Sequence, residues 1–203
     1  MKIWDKGICL RKEIERFTVG NDYLLDKKLI KFDCLASIAH AKMLKSINLL
    51  SENELQELVK GLTEIIKLDS KNQFKIKLED EDCHTAIENY LIDKCGEAGK
   101  KIHTARSRND QVLTALRLYE KDELCKIKKF IEEFTEAIDS SIKLYGNVKL
   151  PGYTHMQKAM PTDVKTWFGS CKDSMHDNLI LVNTIIKLID QSTLGSAAGF
   201  GVP

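Results

Sequence analysis

Apolar residues recur every three or four positions along most of the chain, and no stretch alternates apolar and polar with a period of two. This spacing predicts helices and argues against sheets. A first helix is predicted from Tyr23 to Lys45, carrying Leu25, Leu29, Phe32, Ile38 and Met43. Ser51 and Glu54 stand at the separation of a capping box. They open a second helix with Leu55, Leu58, Val59, Leu62, Ile65 and Ile66 at its apolar positions. A short third helix should follow Asp82, with Ile87, Tyr90 and Leu91 on one face, and end near Gly96. The polar stretch from Gly99 to Ser107 reads as a loop.

Two long helices complete the pattern. One is predicted from near Asn109 to about Tyr145, its stripe formed by Val112, Leu116, Tyr119, Ile127, Phe130, Phe134, Ile138 and Tyr145. The next is predicted to begin at Pro161, a residue suited to the first helical position. It carries Val164, Trp167, Phe168, Cys171, Met175, Leu179, Val182, Ile186 and Ile189, the seam of a helical bundle. At ~1.5 Å per residue, both exceed the diameter of a small domain. Two such helices cannot cover each other's stripes fully, so further helices are expected from additional sequence or from partner chains. Gly195 to Pro203 reads as a glycine-rich loop, an unusual place for a domain to finish, and the chain is expected to continue beyond it. The predicted fold class is all-α. An N-terminal helical domain is expected over residues 1–107, followed over 108–203 by the first helices of an incomplete bundle domain.

Composition narrows the function classes. Hydrophobic residues make up 43%, enough for a sizeable core. Thirty-one basic side chains against thirty acidic ones give a net charge of +1. That balance supplies no basic field for nucleic acid or an acidic membrane surface, so any anionic ligand must be gripped by a few placed groups. The six cysteines form no C-x-x-C, and no histidine pair has metal-ligand spacing, so free thiols in a reducing compartment and no metal are expected. No apolar run reaches the roughly 20 residues that span a bilayer, and no signal-peptide core follows Met1-Lys-Ile-Trp-Asp-Lys. A cytoplasmic protein is expected.

Three polar segments fall at predicted helix ends. Glu81 to Glu88 has Asp82 placed as a helix cap, and taken alone it reads as a helix start. Lys101 to Gln111 crowds Arg106, Ser107, Arg108 and Asn109 at the start of a long helix, where free N–H groups and the dipole favour an anion. Arginine adds a planar fork matched to carboxylates. The plain alternative is that Asn109 or Asp110 caps the helix while the arginines stay solvated. Leu150 to Gln157 holds Thr154, His155 and Gln157 on a proline-glycine turn, and histidine is the side chain suited to acid–base work near neutral pH. A structural loop histidine is the alternative there.

Taken together these segments resemble one family. Asp82-Cys83-His84-Thr85 is similar to the Asp-Val-His-Thr of argininosuccinate lyases. His103 to Gln111 is similar to their His-Thr-Gly-Arg-Ser-Arg-Asn-Asp-Gln, and Pro151 to Gln157 to their Pro-Gly-Tyr-Thr-His-Leu-Gln. Ser37 to Leu44 and Leu194-Gly195-Ser196 resemble the same family, in the same order.

The resemblance implies the fumarase and aspartase superfamily: a helical homotetramer, a small-molecule substrate, no cofactor, and reversible cleavage of argininosuccinate to arginine and fumarate. It implies that Ser107, Arg108 and Asn109 bind a substrate carboxylate, that Thr154 touches substrate and that His155 is the catalytic histidine. Asp26 is expected near the amino-acid end of the substrate, with Asp82, His84 and Gln157 supporting these groups. Three departures stand out. Ala105 replaces a glycine. Phe17 to Asn21 differs from the usual Phe-Asn-Ala-Ser, leaving a substrate-binding serine unplaced. The loop bearing the family's serine base is absent from these residues, so the chain alone is expected to be inactive. The other classes open to this sequence are a non-catalytic, crystallin-like relative and a plain helical scaffold.

Overall fold

The computed structural model describes residues 11–193, and within them the fold is helical with one small hairpin. The elements are α1 (Lys12–Val19), α2 (Asp22–Leu25), α3 (Ile30–Ser46), α4 (Glu52–Ser70), α5 (Cys83–Cys95), α6 (Glu97–Lys101), α7 (Arg108–Tyr145), β1 (Lys149–Thr154), β2 (Gln157–Asp163) and α8 (Val164–Ile189). The expected loop Gly195–Pro203, the segment Leu194-Gly195-Ser196, the stretch after Met1 and Cys9 lie outside the described residues.

The described chain forms two compact units, residues 11–119 with 192–193, and Glu120–Gln191. In the first, α3, α4 and α5 bury their apolar faces together. Ile30, Leu44, Leu58, Leu62, Ile65 and Leu91 are fully enclosed, and Ala98, Ile102 and Ala115 join the same cluster. The predicted capping box forms at the start of α4: Glu54 N–H donates to Ser51 Oγ at 3.3 Å, and Ser51 N–H donates to Glu54 Oε2 at 2.8 Å. The predicted third helix is α5, whose cap Asp82 accepts the Thr85 N–H at 2.6 Å. It stops at Gly96, where φ of 58° suits a residue without Cβ.

Three expectations about boundaries are corrected. The single helix from Tyr23 to Lys45 is broken: a 3-10 turn over Asp26–Lys28 separates α2 from α3. The break lets the Asp26 carboxyl accept the Cys83 N–H at 3.1 Å, satisfying a free donor at the start of α5. The loop predicted from Gly99 is helical to Lys101, since α6 follows α5 directly. Pro161 does not open the last helix but lies in β2, and α8 starts at Val164 with Asp163 as its cap, accepting from Thr166 N–H at 2.8 Å.

The expectation of no sheet is corrected too. In the second unit β1 and β2 pair antiparallel, with Lys149 opposite Asp163, Pro151 opposite Pro161 and Thr154 opposite Gln157. A two-stranded ribbon leaves both outer edges open, so two prolines lacking N–H donors are tolerated. A bulge falls between Pro151 and Tyr153. Gly152 fills it because a Cβ there would stand 2.5 Å from the Met160 carbonyl oxygen. The ribbon has little burial on either face, so its sequence carries no alternating pattern.

The predicted stripes of the two long helices are largely uncovered. Ile138 and Ile189 are buried, whereas Phe130 is 64% and Trp167 60% exposed. Lys172 Nζ reaches the Asp139 carboxylate at 2.6 Å, linking α8 to α7 within this unit. No described helix is long and apolar enough to cross a membrane.

Candidate active site

The first unit encloses a polar cluster where α3 meets the N-termini of α5 and α7. Asp33 and Ser37 lie one turn apart on α3, and both are buried. Gln111, in the first turn of α7, donates its Nε2 to Asp33 Oδ1 at 3.0 Å and to Oδ2 at 2.9 Å. His84, in the first turn of α5, places Nδ1 3.1 Å from Asp33 Oδ2. That approach lacks the direction of a hydrogen bond, and Nδ1 is otherwise unpartnered. The Arg106 guanidinium donates from both terminal nitrogens to Ser37 Oγ at 3.3 Å. Burial pushes its pKa down, but an arginine side chain stays charged in a protein.

Local sequence explains how α7 begins. Ser107 N–H donates to Asp110 Oδ2 at 2.9 Å, and Asp110 N–H donates to Ser107 Oγ at 3.3 Å. This reciprocal cap fixes the first turn, so Ser107 is the cap residue, not Asn109 or Asp110. Arg108 points back toward α5, with Nη2 3.3 Å from Thr85 Oγ1 and 3.5 Å from Glu88 Oε2, and Nη1 3.4 Å from Gln111 Oε1. The buried Nε atoms of Arg106 and Arg108 have no hydrogen-bond partner. Asn109 is exposed on the same turn.

The segment leading into this cap is strained. Ala105 has φ of 57°, the left-handed region that a Cβ disfavours. Its neighbour carbonyl, Thr104 O, accepts from His40 Nε2–H at 2.9 Å. Burial, then the Arg106 charge, pushes the His40 pKa down. Burial, then Arg108 and Arg106, does the same to His103. Both rings are therefore neutral at pH 7.

The predicted residues thus fall into two groups. Ser107, Arg108, Asn109, Asp26, Asp82 and His84 lie in the first unit, around the starts of α5 and α7. Burial raises the Asp26 pKa, while the Cys83 N–H and the His84 ring lower it. Thr154, His155 and Gln157 lie in the second unit, all exposed at the end of the hairpin. Thr154 and Gln157 are paired, so His155 and Met156 alone make the turn. Their φ values of 49° and 64° match a type I′ turn, which tilts the histidine out at the tip.

Sequence reasoning missed Asp33, Ser37, Thr85, Glu88 and Gln111 as a connected group. A usable signal existed: Asp33 sits between Phe32 and Cys34 on the buried side of α3, with Ser37 four residues on.

The family described as lyase matches residues 11–203. The chain belongs to the lyase family. Among lyase relatives, it is 53% identical to an argininosuccinate lyase of Thermotoga neapolitana, over 100% of this chain and 51% of that protein. It is 42% identical to an argininosuccinate lyase of Phocaeicola vulgatus, over 98% of this chain and 45% of that protein. The chain spans about half the length of the curated relatives it matches. Its fold matches a fumarate lyase:delta crystallin of Brucella melitensis with TM-score 0.75 and 17% identity, over 91% of this chain and 47% of that one. It also matches an EDDS lyase variant with bound fumarate, with TM-score 0.74 and 21% identity, over 97% of this chain and 39% of that one. At such identities the likeness establishes the lyase fold.

Proposed function

We propose that this chain supplies the N-terminal part of an argininosuccinate lyase, a carbon–nitrogen lyase that reversibly eliminates fumarate from argininosuccinate and releases arginine. The observation that carries the reading is the start of α7, where the Ser107–Asp110 cap holds exposed Asn109 beside Arg108 at a positive helix end. Such a start is suited to a carboxylate. The 53% identity to a named argininosuccinate lyase supports it.

The chemistry removes a weakly acidic proton from the carbon beside a carboxylate, forming a doubly charged aci-carboxylate. The C–N bond then breaks, and the leaving amine takes a proton. Fixed donors stabilise the dianion more than the substrate, which lowers the barrier. In this reading Ser107, Arg108 and Asn109 grip the carboxylate and Thr154 touches substrate. His155, on its turn, handles the proton at the leaving nitrogen or assists the base. Asp26 meets the amino-acid end, and Asp82, His84 and Gln157 hold these groups in place. No metal or organic cofactor takes part in this elimination. In this reading the working protein is a cytoplasmic homotetramer whose other subunits cover Phe130 and Trp167, which are exposed in the single chain.

The test is a chimera in which this chain replaces the matching half of the Thermotoga neapolitana lyase. Fumarate formation followed by absorbance should persist in the chimera and collapse with Asn109→Ala or His155→Ala. A folded chimera whose turnover ignores both changes overturns the reading.

A further inference from the structure

A second set of donors in the first unit has the composition of a metal site. Asp26, Cys83 and His84 each offer one ligand atom, and these atoms lie within 4.8 Å of one another. Cys83 and His84 are buried, while Asp26 is partly open and gives a route in from solvent. We propose that Asp26, Cys83 and His84 bind one divalent transition-metal ion of the zinc type, with water in the remaining position, a site that takes no part in the proposed elimination and whose occupancy withdraws Asp26 from substrate.

A carboxylate, a thiolate and an imidazole are the mixed donor set that a borderline-soft ion such as zinc accepts. Tetrahedral zinc with Zn–S of about 2.3 Å and Zn–N of about 2.0 Å needs donors roughly 3.5 Å apart. The backbone is already tied, because the Asp26 carboxyl accepts the Cys83 N–H at 3.1 Å.

The His84 ring supplies the second, independent sign. Its Nδ1 is buried without a hydrogen-bond partner, 3.1 Å from Asp33 Oδ2. A small turn of the ring converts that approach into the carboxylate–histidine pairing that orients metal-bound imidazoles. Gln111, on both Asp33 oxygens, fixes the carboxylate for that task.

The test uses the 203-residue chain with Cys9, Cys125 and Cys171 changed to Ser, so that these thiols do not answer in place of Cys83. Titration with Co²⁺ should give a sulfur-to-cobalt charge-transfer band saturating at one ion per chain, and Zn²⁺ should displace it. Cys83→Val should remove the band, with far-ultraviolet circular dichroism confirming the fold. Asp26→Asn, at a partly open position, should weaken Zn²⁺ binding at least about tenfold while keeping the thiolate band. The proposal is overturned by the absence of a thiolate band. It is equally overturned by an undiminished band in folded Cys83→Val protein, or by parental Zn²⁺ affinity in Asp26→Asn.

Discussion

Gln111 holds both carboxyl oxygens of Asp33 with one amide nitrogen, at 3.0 and 2.9 Å, where neither side chain meets solvent. The contact joins the start of α7 to the first turn of α3, so the helix that presents Asn109 is anchored from beneath.

Removing that anchor should cost stability. Gln111→Ala leaves a buried acceptor pair without its donor, and unfolding free energy should drop by about 2–3 kcal/mol. Asn109→Ala, on the exposed side of the same turn, should stay within about 0.5 kcal/mol of the parent. Urea denaturation with an unchanged slope measures both. Equal losses at the two positions would contradict the division between a buried supporting residue and an exposed one.

Ala105 offers a change in the other direction. Its φ of 57° costs an alanine about 1–2 kcal/mol, whereas glycine pays only about 0.5–1 kcal/mol in chain entropy. Ala105→Gly should therefore stabilise the chain by roughly 0.5–1 kcal/mol, read as a higher urea midpoint. A lower midpoint would show that the Cβ makes a contact worth more than the strain.

His155 shows how far sequence legibility went. The tripeptide Tyr-Thr-His was readable as chemistry, but the hairpin carrying it was not, because a ribbon exposed on both faces selects no alternation. Helix α4 was legible because its buried residues Leu58, Gly61, Leu62 and Ile65 lie on a single face, which writes a 3.6-residue period. The Ser51–Glu54 cap was legible from spacing alone. The break at Asp26 was not, since its cause is an acceptor relation to Cys83, 57 residues away. The Asp33 cluster was hidden for the same reason: Asp33 and Gln111 are 78 residues apart and no local rule links them.

The same histidine should expose a trade between stability and turnover. In the chimeric lyase, His155→Gly relieves a left-handed residue and should raise stability by up to about 1 kcal/mol. It should also lower kcat by about 10²- to 10⁴-fold through loss of a proton-transfer group. Thermal melts and fumarate release measure the two effects on one sample. Unchanged kcat would remove His155 from the chemistry.

Asp163 supplies a pH test. Thr166 N–H, the Thr166 hydroxyl and Lys149 hold its pKa at about 2, below the ordinary 3.8. Because the folded value is the depressed one, the cap contributes fully above about pH 4 and is lost as pH falls towards 2. Nuclear magnetic resonance titration should place the Asp163 midpoint near 2, with the first turn of α8 loosening over the same range. A midpoint at 3.8 would deny the cap.

The turn between Thr154 and Gln157 has no slack, because only His155 and Met156 close it. Most surface connections absorb an added or missing residue without consequence, and lineages drift in length there. Here one extra residue in either strand would turn each following side chain to the opposite side of the ribbon. Homologous chains should accordingly vary freely in the identity of Lys158 or Met160, yet keep the number of residues between Lys149 and Asp163 constant.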